Sequence, residues 1–199
     1  MSVPSPNDVY QWQRRADEVI SSIQRFTPNV DLNILNMGTP ESLVIERIKE
    51  KIPSARCVSL ELSHDPMGSH REHAELTRET PMDPPDKRYH FVQGDAMSLP
   101  YRAATFDVIV ATFVMEHVPI PIDMLKECHR ILKPNGIISI MAPDPFWDSI
   151  VSMISTWRYD HPGTILNLET LSSYLVSTGF KPLFSDRFMF SETRFPFES

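Results

Sequence analysis

Short apolar runs alternate with amphipathic stretches along most of this chain. Residues 32–37 (LNILNM), 57–62 (CVSLEL), 89–93 (YHFVQ), 106–112 (FDVIVAT), 137–142 (IISIMA) and 181–188 (KPLFSDRF) read as strands. Between them, 41–51, 65–78, 122–132 and 167–179 carry helical patterns. Ahead of the first strand, Val9, Trp12, Ala16, Val19, Ile20 and Ile23 recur three and four apart, which predicts an amphipathic helix capped by Asn7 or Asp8. The strand runs are nearly all apolar rather than alternating, so both faces of their sheet must be covered. Strands and helices in alternation therefore predict an α/β fold: a doubly wound, mostly parallel Rossmann-like sheet with helices on both faces. The expected organisation is a flexible polar tail, 1–8, and a single domain, 9–199.

Three segments break the rhythm: 80–88 is Pro-rich and polar, 94–105 (GDAMSLPYRAAT) reads as an ordered loop, and 143–164 is long. Ligands of open α/β sheets sit at the carboxyl ends of the strands, so the second and third of these segments are placed to line a site. Composition narrows the function. With 41% apolar and 23% charged residues, 199 residues suffice for one core. A net charge of -7 without a basic run offers no footprint for a phosphate backbone, so no nucleic-acid partner is expected. No apolar run approaches the roughly 18 residues of a membrane span, and the N-terminus lacks a basic region followed by an apolar one; a soluble cytoplasmic protein is expected. Cys57 and Cys128 lie in strand-like and helical patterns, where a thiol acts as a small hydrophobe. His64, His70 and His73 stand among charges at helical spacing and read as a solvated face rather than a metal site.

From Phe91 to Ile140, four groups of residues follow in fixed order: Gly94-Asp95-Ala96 with Leu99-Pro100, Thr105-Phe106-Asp107-Val108, Glu116-His117-Val118, and Arg130-Ile131-Leu132-Lys133-Pro134-Asn135-Gly136. This stretch closely resembles the class I S-adenosylmethionine-dependent methyltransferases of the small-molecule, type 11-like kind, and the resemblance extends over roughly residues 30–188. It implies strand order 3-2-1-4-5 with a sixth and a seventh strand beyond, S-adenosylmethionine as cofactor and a small-molecule acceptor. It places Glu61 and Leu62, at the end of the second strand, beside the ribose, where a carboxylate accepts from both hydroxyls. Asp95 falls by the adenine amino group, the Ala96 amide by a ring nitrogen, and Thr112 and Phe113 beside the methionine portion. His117, at the mouth of the site, suits a general base. Each position also has a plain reading: a solvated acid, a turn-capping aspartate, core strand residues, a backbone-bonded loop histidine. Phe113, Met115, Phe146, Trp147 and Trp157 read as an acceptor pocket or as core. The short chain implies no lid, so a homodimer or partner subunit covers the site, or the site is open.

The loop after the first strand departs from the family pattern. Where the family has an acidic residue and three alternating glycines, this chain has Asn36, Gly38, Pro40 and Ser42, so only the first glycine survives. Pro40 fixes φ near -65° and removes an amide donor. Thr39 at N-cap, Pro40 at N1 and Glu41 in the first turn describe a plain helix start. Two readings result: a methyltransferase whose loop has drifted, and a non-catalytic binding or scaffolding subunit on the same fold. A nicotinamide oxidoreductase is disfavoured because G-x-G-x-x-G is absent and nothing in that class accounts for residues 94–136.

Overall fold

The computed structural model describes residues 6–27, 31–38, 43–62, 89–142 and 166–185. Helix α1 (Pro6–Phe26) precedes strand β1 (Asn33–Met37), helix α2 (Leu43–Lys51) and strand β2 (Arg56–Leu62). Strands β3 (Tyr89–Gly94) and β4 (Phe106–Thr112) follow, then a 3-10 turn (Met115–His117), helix α3 (Pro121–Ile131), strand β5 (Leu132–Met141) and helix α4 (Leu168–Ser177). The five strands order as β3-β2-β1-β4-β5, with every pairing parallel, so β1 lies at the centre as the resemblance implies.

Side-chain alternation divides the sheet into two cores. Ile34, Cys57, Val108 and Val110 point to one face, where they meet Ala16, Val19, Ile20 and Ile23 of α1 and Val44, Ile45 and Ile48 of α2. Leu35, Met37, Leu60, Ile109 and Ala111 point to the other, against Met124, Leu125, Cys128 and Ile131 of α3, with Leu171, Tyr174 and Leu175 of α4 half-buried there. Strands buried on both sides cannot alternate apolar with polar, which is why these runs are continuous. Both cysteines are buried and free, and burial pushes each thiol up to about 12, so neither is a thiolate near neutral pH.

The edges depart from expectation. Helix α1 starts at Pro6, so residues 6–8 of the expected tail are its first turn and Asn7 and Asp8 lie inside the helix rather than capping it; proline's fixed φ suits a first helical position. Strand β5 starts at Leu132 rather than Ile137. Its pairing to β4 jumps from Phe106↔Leu132 to Val108↔Ile137, so Lys133 to Gly136 bulge out, with Asn135 at φ +63°. Lys133 Nζ reaches Asp107 Oδ2 at 2.8 Å, and the same oxygen accepts from the Asn33 N–H at 2.9 Å, tying the entries of β1, β4 and β5 together. The sixth strand expected at 181–188 is not formed over 181–185, where Leu183 and Phe184 are exposed and Arg25 lies 4.9 Å from the Phe184 ring centroid. Pro182 has no N–H to give a ladder. The rest of that segment, the 65–78 helix with His64, His70 and His73, and the 39–42 helix start lie outside the described residues.

At the carboxyl end of β1, Gly38 has φ +82°, and a Cβ there would stand 2.3 Å from the Thr112 carbonyl oxygen and 3.0 Å from Val114 Cβ. A left-handed backbone costs an L-residue about 1–2 kcal/mol before any clash. Gly38→Ala is therefore expected to destabilise the protein by more than about 2 kcal/mol, read as a lower urea midpoint at unchanged slope. An unaltered midpoint would mean that β1 and β4 do not approach this closely.

Candidate functional site

The strand order reverses between β1 and β4, the point at which open sheets of this kind take their ligands, at the carboxyl ends of the strands. The registers bring the expected positions to that edge. Met37 pairs with Leu60 and Ala111, Glu61 with Gln93, and Leu62 with Gly94, so the exits of β3, β2, β1 and β4 stand side by side. Gly38, the Glu61–Leu62 backbone, Asp95–Ala96 and Thr112–Phe113 lie along that edge. The side chains of Glu61 and Leu62 lie outside the described residues.

Each position has a distinct local cause. Asn36 is 1% exposed, and its Nδ2 donates to Ser59 Oγ on the neighbouring strand at 3.1 Å. This neutral pair replaces the acid of the family pattern, and it satisfies a polar group that burial would otherwise penalise. Asp95 Oδ1 accepts from the Met97 N–H at 2.8 Å, and the Asp95 carbonyl accepts from the Ser98 N–H at 3.1 Å. The aspartate thus caps its own turn. Ala96 is buried in the core beneath it.

Phe113 follows β4 at φ +52°, with its N–H bonded to the Met141 carbonyl at 2.8 Å. A left-handed phenylalanine is a strained residue, and such residues cluster at functional sites. His117 ends the 3-10 turn half-buried, its N–H donating to the Val114 carbonyl at 3.0 Å. Within the same turn, Met115 and Glu116 are each 2% exposed. Met115 is therefore core rather than pocket lining. Phe146, Trp147 and Trp157 lie outside the described residues.

One arrangement has no counterpart in the sequence reading. The Arg130 guanidinium forks onto Glu127, Nε to Oε1 at 2.8 Å and Nη2 to Oε2 at 2.7 Å, and reaches the carbonyls of Leu99 (Nη2, 3.0 Å) and Tyr101 (Nη1, 2.8 Å). Glu127 Oε2 in turn accepts from the Leu99 N–H at 2.9 Å. Farther along, the Ala104 and Thr105 N–H groups cap the Arg130 and Ile131 carbonyls at the end of α3. The loop that carries Asp95 is thereby strapped to α3. In sequence, Glu127 and Arg130 look like an ordinary helical ion pair. Their reach to backbone some thirty residues away carries no side-chain signature.

A family profile described as a methyltransferase domain matches residues 35–140. The ubiquinone/menaquinone biosynthesis C-methyltransferase UbiE of Cereibacter sphaeroides is 26% identical over 114 residues, 57% of this chain and 42% of the relative. The chain spans less than half the length of such curated relatives. Among solved structures, the [4+2]-cyclase SpnF superposes with TM-score 0.60 at 22% identity, over 84% of this chain and 56% of that one. Phosphoethanolamine N-methyltransferase 2 of Haemonchus contortus, in complex with S-adenosyl-L-methionine, gives 0.57 at 18% identity, over 82% and 36%. At these identities the structural likeness is one of fold.

The strap is expected to weaken in acid. The hydrogen bond from Arg130 holds the Glu127 carboxyl below its ordinary value of 4.5, with the Leu99 N–H acting in the same direction and partial burial opposing both. A carboxylate with a depressed folded value adds stability that is present above the ordinary value and lost as pH falls through the folded one. The melting-temperature advantage of wild type over Glu127→Gln is thus expected to be constant from about pH 8 to about pH 5.5 and to shrink below about pH 4.5. An advantage that persists undiminished at lower pH would contradict this assignment.

Proposed function

The chain belongs to the methyltransferase-domain family, and from that premise we propose that it transfers a methyl group from S-adenosylmethionine to an oxygen, nitrogen or carbon atom of a small-molecule acceptor. The observation that carries this reading is the reversal of strand order between β1 and β4, where the exits of four parallel strands align and the Asp95 turn is built from its own side chain. Residues along this edge would hold the nucleoside half of the cofactor. Glu61 and Leu62 would take the ribose, while the Asp95 carboxylate and the Ala96 amide would take the edge of the adenine. Gly38, with no Cβ, lets a ligand approach the backbone at the end of β1. Asn36 would stand behind it, and Thr112 and Phe113 would flank the methionine portion.

When bound, S-adenosylmethionine supplies an electrophilic methyl group on a sulfonium sulfur. The protein's task is then to align acceptor and methyl and to exclude water. Phe113, strained at φ +52°, would stand beside that position, and His117 at the mouth would take the acceptor's proton. The names of the curated relatives suggest a quinone-type ring as acceptor. Either a second copy or another subunit would cover the site, or it would stay open to a bulky acceptor.

A non-catalytic binding or scaffolding role is favoured by one observation: the Asn36 amide, buried and bonded to Ser59, gives an ammonium group no charged partner from β1. The cyclase among the fold neighbours illustrates that this architecture is not bound to one reaction.

Calorimetry with S-adenosylmethionine and S-adenosylhomocysteine decides between the two. Both are expected to bind, and Glu61→Ala to weaken both by about tenfold or more, the worth of a charge-assisted hydrogen bond. No heat with either ligand, in a protein shown to be folded, would give the lead to the non-catalytic reading.

A further inference from the structure

The loop from Asp95 to Thr105 joins β3 to β4 and contains no regular element. Two of its own bonds shape its beginning, from the Asp95 carboxylate to the Met97 N–H and from the Asp95 carbonyl to the Ser98 N–H. Both lie within four residues of chain, so they fix the local turn but not where the turn sits relative to the sheet. At its start the turn continues β3 from Gly94, which pairs with Leu62, and its far side is held by α3.

Glu127 takes the Leu99 N–H, Arg130 takes the Leu99 carbonyl, and both polar groups of one peptide residue are thereby held by two side chains that are themselves locked together as a fork. A second Arg130 nitrogen holds the Tyr101 carbonyl. Below this residue the Leu99 side chain is 4% exposed and packs in the same core cluster as Ala96, Met124, Leu125 and Cys128. The strap is thus anchored by charge on its outer side and by packing on its inner side. Arginine suits this use because a planar guanidinium can bind a carboxylate bidentately and still present donors to two carbonyls. Lysine cannot do both.

We propose that Glu127 and Arg130 are positioning residues for the adenosine end of the site, acting through the Leu99 backbone to set where Asp95 and Ala96 stand at the exit of β3. This rests on the methyl-donor reading above for the identity of the ligand, and on the strap alone for the geometry. The pair touches no ligand itself. Releasing it leaves the Asp95 turn intact but lets it move relative to β2 and β1, so ligand affinity falls without loss of the fold.

The test measures the affinity of S-adenosylhomocysteine and of free adenosine by calorimetry, with amide hydrogen exchange at Leu99 and Met97, on wild type, Glu127→Ala, Arg130→Ala, Arg130→Lys and Glu127→Gln. Lys133→Ala, which cuts the ion pair to Asp107 at the opposite end of the sheet, serves as a control for stability alone. Both alanine variants are expected to bind each ligand on the order of tenfold more weakly, by the same factor for both because only the adenosine end is affected. Leu99 exchange should accelerate, while the Met97 amide, held by Asp95, should keep more of its protection. Glu127→Gln still offers an acceptor and should restore most of the affinity, whereas Arg130→Lys should not.

Wild type that binds neither ligand removes the methyl-donor reading, and this inference with it, whatever the exchange data show. Wild type that binds, with alanine variants binding equally well or weakened only as much as Lys133→Ala, overturns the inference alone. Unchanged Leu99 exchange in Glu127→Ala overturns it as well, by showing that the strap does not hold the loop.

Discussion

At the end of β1 the backbone of Gly38 stands so close to the Thr112 carbonyl that only a hydrogen fits on its α-carbon. The rest of the site depends on this contact. The two strands run parallel at the reversal of the strand order, so the crossovers on either side of the seam leave toward opposite faces. The connections diverge there, which is where open sheets of this kind take their ligands, and β1 and β4 close on each other at that point. A side chain at residue 38 would push the exit of β1 away from Thr112 and Val114, and with it the approach to Phe113 and the 3-10 turn that carries His117.

Opposite ends of the sheet are secured by different means. At the entry edge, Asp107 gathers Lys133 and the Asn33 N–H, binding three strands with one carboxylate. At the exit edge, the loop after β3 is held from outside by Glu127 and Arg130, because a loop between parallel strands has no ladder to fix it. Both arrangements use charged hydrogen bonds in half-exposed positions. Their value lies in direction rather than in net energy, since exposed ion pairs add little to stability. A guanidinium that satisfies two carbonyls and a carboxylate specifies where a backbone segment lies, which apolar packing under Leu99 does less sharply.

The architecture was legible because burial on both faces writes itself into the strands. Residues 106–112 could be read directly, and the single-residue offset of α3 reflects only Pro121 at its first turn. The failure at 181–185 has the opposite cause: Leu183 and Phe184 are apolar, but two consecutive large side chains do not require a sheet, and Phe184 finds Arg25 instead. Met115 was ambiguous between pocket and core because a methionine past a strand end serves either, and only its burial decides. Strand-end positions such as Asp95 and Thr112 followed from the family resemblance, laid over the strand pattern. The bond between Asn36 and Ser59 could not be read, because it requires the register of β1 on β2, and a shift of one residue would turn either side chain to the other face.

Register also changes what the surviving glycine means. Gly38 is demanded by its distance to Thr112 and its positive φ, whether or not a ligand ever sits above it, so its retention beside Pro40 and Ser42 reports the fold. Asn36 belongs to the same category, since a buried amide bonded to a serine is the low-cost way to seat a polar residue between two strands. Phe113 differs. A glycine there would adopt its φ of +52° without strain, yet a phenylalanine stands at that place, at the exit of β4. The outer fork of Glu127 and Arg130 is not required to close either core, and it fixes the loop that carries Asp95. The weight of a ligand-binding reading therefore rests on the strained phenylalanine and the strapped loop rather than on the glycine by which such sites are usually recognised.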